Sequence, residues 1–187
     1  AKYSAERERS VGLGVMGFHS FLQKKRIPLE SVMAKSWNKK IFKQIDEQVN
    51  QASKDLAEER GACPDAAEYG YMERFSNKTA IAPTASISII CGGASPGVEP
   101  IAANSYTHKT LSGSFNVRNR YLEEILESHG KNDDETWSTI TTNQGSVSHL
   151  DFLTDLEKDV FKTAFELNQK WIIELSGDRT PYISQAQ

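Results

Sequence analysis

The chain has 187 residues, 38% of them hydrophobic and 25% charged, proportions of a folded globular protein rather than a disordered one. Its formal net charge of -3 excludes a generally basic nucleic-acid binder, and no uncharged apolar run is long enough to span a membrane. The N-terminal stretch AKYSAERERS has no apolar signal region, so the expected location is the cytoplasm.

From the N-terminus, Val11 to Arg26 is expected to form a helix with Val15, Phe18, Phe21 and Leu22 on its apolar face, ending near Pro28. A longer helix follows from about Ser31 to Arg60, where Trp37, Ile41, Ile45, Val49, Ala52 and Leu56 recur at helical spacing and Gly61 is the stop. Ala62 to Ser76 is expected to be a loop with at most one helical turn, and Ala80 to Ala82 a short strand. Tyr106 to Val117 has a Ser112-Gly113-Ser114 centre between β-prone runs and predicts a bend or a hairpin. Asn119 then opens a helix through His129, and Asp133 to Thr142 forms another. Thr154 and Glu157 make a capping-box pattern that starts a second long helix, carrying Leu156 to Leu175 and ending at Ser176-Gly177. Two or three strands are too few to cover these apolar helix faces, so the chain is expected to be a single fragment of a larger fold, cut at both ends.

Ala80 to Pro100, reading AIAPTASISIICGGASPGVEP, is the most informative segment. Pro83 cannot donate to a ladder and ends the preceding strand, and the small residues Thr84, Ala85 and Ser86 follow. Thr84 or Ser86 is expected to cap a short helix over Ile87 to Cys91, whose first amides and dipole favour a phosphate. The same pattern also makes an ordinary strand-to-helix connection. The glycine-rich stretch Gly92, Gly93, Pro96 and Gly97 weighs toward a backbone that approaches a ligand closely. Glu99 within it is either a general base or an orienting or structural carboxylate.

Other patterns carry less. Gly12, Gly14 and Gly17 spell GxGxxG, but the charged run Glu6-Arg7-Glu8-Arg9 precedes them where a dinucleotide-binding fold requires a strand, so tight packing at a helix start is the expected role. Cys63 and Cys91 show no metal spacing with His19, His108, His129 or His149, and no metal site is expected. His108 beside Lys109 is either a solvated basic spot or a contact for an anionic substrate.

At IAPTASISIICGGASPGVEP the sequence resembles the catalytic large subunit of ribonucleotide reductase. The resemblance continues, in order and at similar spacing, through RSVGLGVMGF (Arg9 to Phe18), Asp55-Leu56-Ala57 with Gly61, Lys109 to Phe115, and Asp178 to Gln187. It implies an α/β fold in which this chain is part of the family's ten-stranded α/β barrel, on its C-terminal side and closest to class I. It also implies that Pro83, Thr84, Ala85, Ser86 and Ile87 bind the substrate phosphates, in agreement with the cradle reading.

The family converts ribonucleotides to deoxyribonucleotides by radical chemistry. Its radical-bearing Asn-Leu-Cys segment does not occur here, its reducing cysteine pair would precede residue 1, and its relay tyrosines would follow Gln187. No catalytic residue and no bound cofactor are therefore expected in this piece, which alone should be inactive. The expected partners are the remaining segments of the large subunit, a radical-generating small subunit that holds the metal, a ribonucleoside diphosphate substrate, and a thioredoxin or glutaredoxin type thiol reductant. Two other readings of the chain are a stand-alone nucleotide-phosphate binding module and a structural assembly piece.

Overall fold

The computed structural model describes residues 1–110 and 113–185, with Thr110 described by its backbone alone. The expected turn residue Ser112 and the last two residues of the Asp178 to Gln187 motif lie outside the described residues. The chain forms two compact units, the first made of Ala1–Val15, Lys35–Ala82 and Ile173–Gln187, the second of Met16–Ala34 and Pro83–Ile172.

In the first unit, helix α1 (Lys2–Glu8) is tied to the short helix α4 (Pro64–Glu68) through Arg7, whose guanidinium bonds Asp65 at 2.6 Å and also Glu68. Beyond α1 the chain is extended rather than helical. The amides of Val11 and Leu13 donate to the carbonyls of Asn77 and Lys78 at 3.0 and 2.9 Å, and Ala80 N–H returns to Leu13 O at 3.0 Å. This leaves one parallel bridge, Leu13 to Thr79, where a strand over Ala80 to Ala82 was expected. The glycines explain the change of conformation, since a Cβ on Gly14 would lie 2.6 Å from the carbonyl oxygen of Ala80. Gly12 and Gly14 thus permit close approach of two extended segments, and only Gly17 sits at a helix start.

The other side of the Lys78 to Ile81 segment is held by the chain near its end. Ser184 Oγ accepts from Lys78 N–H at 3.1 Å, Ser184 N–H donates to Thr79 Oγ1 at 2.8 Å, and Gln185 Oε1 accepts from Ile81 N–H at 2.8 Å. Helix α3 (Val32–Arg60) runs almost where its periodicity placed it. Its buried line in this unit is Asn38, Phe42, Ser53 and Ala57, whereas Trp37, Ile41, Ile45, Val49 and Leu56 are half-buried and Ala52 is exposed. Polar contacts decide that offset: Asn38 Nδ2 donates to Leu175 O at 2.8 Å, and Lys35 and Lys39 meet Glu174 and Asp178 at 3.0 and 3.1 Å.

The second unit contains helix α2 (Phe18–Lys24), helix α5 (Ala85–Ile90), and an antiparallel hairpin of β1 (Ser105–Thr110) and β2 (Gly113–Arg118) in which Tyr106 pairs with Val117 and His108 with Phe115. Its apolar core lies among α6 (Arg120–Ser128), α7 (Asp134–Thr142) and α8 (Asp155–Val160), where Leu122, Leu126, Trp137, Ile140, Val160 and Phe161 are all buried. Each of these helices starts on a side-chain cap, from Asn119, Asp133 and Thr154, the last as a full capping box with Glu157.

The second long helix is interrupted. Helix α8 stops at Val160, and α9 (Gln169–Arg179) begins only after an irregular stretch, then runs through Ser176-Gly177 rather than ending there. A second Thr-x-x-Glu pattern causes the break: Thr163 N–H and Oγ1 both donate to the Glu166 carboxylate at 2.8 Å, and Ala164 N–H donates to Ile101 O. These bonds occupy donors that a continuous helix would need. A 3₁₀ turn over Thr180–Tyr182 follows α9.

Candidate functional site

The loop from Pro83 to Pro100 lies wholly in the second unit. Helix α5 begins at Ala85, two residues earlier than expected, because Thr84 turns the chain with φ 52° and ψ 28°. This left-handed conformation in a β-branched residue costs about 1–2 kcal/mol. Thr84 occupies the cap position, yet its hydroxyl does not cap the helix and instead accepts from Gly97 N–H at 2.7 Å. Ser86 lies inside the first turn.

The first intrahelical bond runs from Ser88 N–H to Thr84 O at 2.9 Å, so the amides of Ala85, Ser86 and Ile87 have no intrahelical acceptor. Pro83, Ala85, Ser86 and Ile87 are exposed and Thr84 is half-buried. The five expected residues therefore form one surface: three free amides, two hydroxyls and a proline at its entrance. Such a surface can donate several hydrogen bonds to an anion and has no acidic side chain within the five residues to oppose it. Beyond α5, the guanidinium of Arg120 lies 3.7 Å from where a Cβ on Gly92 would sit.

The glycine-rich stretch folds back on α5 instead of standing open. Gly93 N–H reaches Ser88 O at 3.0 Å and Ala94 N–H reaches it at 3.1 Å, with Gly92 and Gly93 at φ 80° and 70°, which closes the helix end. Glu99 is exposed, and its carboxylate has no hydrogen-bond partner among the described residues. His108 is half-buried in β1 with Lys109 exposed beside it, both on the hairpin. Among the described residues no group of three or more His, Cys, Asp or Glu side chains could hold a metal ion. Cys63 is buried and Cys91 exposed, and both are free thiols.

Sequence reasoning missed the residues that support the loop. Ser20 N–H donates to Ser95 Oγ at 3.1 Å and Ser95 N–H donates to Ser20 Oγ at 2.8 Å, joining α2 to the turn that carries Gly97. His19 is fully buried, and its Nδ1 accepts from Ile101 N–H at 3.1 Å. Burial pushes its imidazole down to about 4, so it is neutral at ordinary pH. Serines 75 residues apart carry no periodic or motif signal that could have paired them. Beneath α5 a cavity of about 420 Å³ opens between Ser20, Gln23, Ser88, Ile89, Asn104 and Asn119.

Comparison with known proteins gives one answer. The profile of the family "Ribonucleotide reductase, barrel domain" matches residues 1–69 and 65–187. The ribonucleoside-diphosphate reductase large subunits of Invertebrate iridescent virus 6 and Invertebrate iridescent virus 3 are 48% and 45% identical to the chain, over 98% and 100% of its length. The match covers 19% and 30% of those proteins, so the chain spans between a fifth and a third of their length. The structure of the Actinobacillus ureae class Id ribonucleotide reductase alpha subunit superimposes with a TM-score of 0.91 at 40% identity, over 100% of this chain and 34% of that one. The helix-rich architecture with its hairpin therefore matches a piece of the reductase α/β barrel, and the chain belongs to the ribonucleotide reductase barrel-domain family.

Proposed function

We propose that this chain serves as part of a class I-like ribonucleoside-diphosphate reductase large subunit, in which Pro83 to Ile87 hold the substrate's phosphates. The observation that carries the reading is the first turn of α5, where three amides without intrahelical acceptors adjoin the strained Thr84 and the hydroxyl of Ser86. An anion there gains the partial positive charge of the helix start together with direct N–H donors. Thr84 Oγ1 already accepts from Gly97 N–H, which leaves its own proton for a phosphate oxygen. Pro83 has no N–H of its own and a restricted φ, which stiffens the entrance.

In this reading the chain binds and orients, and other parts of the enzyme carry out the reduction. The radical, supplied by a metal-containing small subunit, and the thiols of the reducing pair come from segments outside these residues, with a thioredoxin or glutaredoxin type protein restoring the thiols. Cys63 and Cys91, one buried and one exposed, take no part. Among the described residues no helix is long and apolar enough to cross a membrane.

Ser86→Glu tests the site directly, because it places a carboxylate among the amides that would receive the phosphate. Calorimetric titration with a ribonucleoside diphosphate should show affinity falling at least about tenfold, the effect of losing some 1.4 kcal/mol. Unchanged affinity would remove the loop from the binding site.

A further inference from the structure

We propose that Ser20 and Ser95 are positioning residues that act through Thr84: their reciprocal bond clamps the Ser95-Pro96-Gly97 turn to α2, and the turn fixes the Thr84 hydroxyl for donation to phosphate. The proposal rests on the phosphate-site reading above and adds what holds the strained residue of that site.

The start of α2 presents N–H groups that have no acceptor within the helix, and Gly17 at its cap has no side chain to offer one. The Ser95 to Gly97 turn supplies the acceptors. Gly17 N–H donates to Ser95 O at 2.9 Å, Phe18 N–H to Gly97 O at 3.4 Å, and Ser20 N–H to Ser95 Oγ at 3.1 Å. Ser95 N–H answers to Ser20 Oγ at 2.8 Å. Both serines are buried, at 6% and 0% exposure, so water does not compete for these bonds.

Gly97 is thereby fixed in place, and its buried amide reaches Thr84 Oγ1 at 2.7 Å. That bond opposes the relaxation of Thr84 to a negative φ, which would swing the hydroxyl away from the amides of Ala85 to Ile87. A residue kept in a left-handed conformation by its surroundings is an observed strain at a loop that the family reading makes functional. Each link is a named bond: α2 to Ser95, Ser95 along the turn to Gly97, and Gly97 to Thr84.

The test is titration of the chain with pyrophosphate, read by calorimetry and by ³¹P NMR, with circular dichroism on every variant. Ser95→Ala should weaken binding about tenfold, the equivalent of one hydrogen bond. Ser20→Ala should act in the same direction. Thr84→Ser, which keeps the hydroxyl, should stay within about twofold of the parent, and Thr84→Gly should lose about tenfold or more. Because the serines act through Thr84, adding Ser95→Ala to Thr84→Gly should change affinity by less than about twofold.

Equal losses from Ser95→Ala in both backgrounds would overturn the proposal, as would unchanged affinity in Ser95→Ala. Loss of fold in both Ser20→Ala and Ser95→Ala would make the pair a core contact and overturn it as well. Failure of the underlying site would look different: either the parent chain would not bind pyrophosphate, or Ser86→Glu would bind as the parent does.

Discussion

His19 has no free surface and keeps its imidazole neutral, with Nδ1 accepting from the Ile101 amide. Its protonation therefore couples directly to folding. In the unfolded chain it takes up a proton near 6.5, but in the fold only at about 4. Between those values the unfolded state binds more protons, so stability is full above pH 6.5 and falls as the pH is lowered toward 4, by roughly 3 kcal/mol. Denaturant titrations of the second unit at a series of pH values should show that slope. His19→Asn, which keeps an acceptor for Ile101 but does not titrate, should flatten it, and an unchanged slope would contradict this assignment. Asp133 acts in a different window: its bond from the Thr136 amide holds its carboxyl below the usual 3.8, so its contribution is lost only in stronger acid.

At this scale the sequence was informative about local backbone and silent about tertiary support. The turn after Pro83 into a short helix was legible because proline and small hydroxyls leave few conformations for the backbone, although the helix starts at Ala85 rather than Ile87. Ser20, Ser95 and Gly97 were not, because the serine pair joins residues 75 positions apart and the Gly97 bond to Thr84 forms only once that turn is folded back. The role assigned to Thr84 as a cap also failed, since its hydroxyl found a better-placed donor in Gly97.

Helices with capping side chains were read from sequence most accurately. Asn119, Asp133 and Thr154 start α6, α7 and α8, each at the position its local pattern assigned. Thr154→Ala removes one half of a capping box at the start of α8, whose last residue Val160 belongs to the core of the second unit. It should destabilise that unit by about 1 kcal/mol in a denaturant titration, and no measurable change would mean the box is not a stabilising contact.

Elements were misread where a local polar bond or a distant partner overrode apolar periodicity. Val11 to Val15 has helical spacing, but the Val11 and Leu13 amides are taken by Asn77 and Lys78, and only a glycine at position 14 fits against the extended Ala80 backbone. The run from Leu156 to Leu175 has helical spacing too, yet Thr163 and Glu166 form a local lock that interrupts it. Of the bend or hairpin expected from the β-prone runs around Ser112-Gly113-Ser114, the structure has the hairpin, from Ser105 to Arg118.

Over the whole chain, two compact units together span the full match to the reductase barrel family while covering only 19% to 34% of the relatives compared. The half-buried apolar residues Ile41, Ile45 and Val49 of α3 and the exposed Ile87 and Ile90 of α5 fit a segment whose natural setting is a larger barrel. The central claim is that this segment supplies a substrate phosphate site to a reductase. Its most direct test exchanges the matching segment of the Invertebrate iridescent virus 6 large subunit for this chain, and measures reduction of a ribonucleoside diphosphate with the cognate small subunit. The account predicts that the exchanged enzyme turns over, and that Ser86→Glu within it raises KM for the diphosphate while leaving subunit assembly intact. A folded, assembled exchange that reduces no substrate, or one whose KM ignores Ser86→Glu, would contradict it.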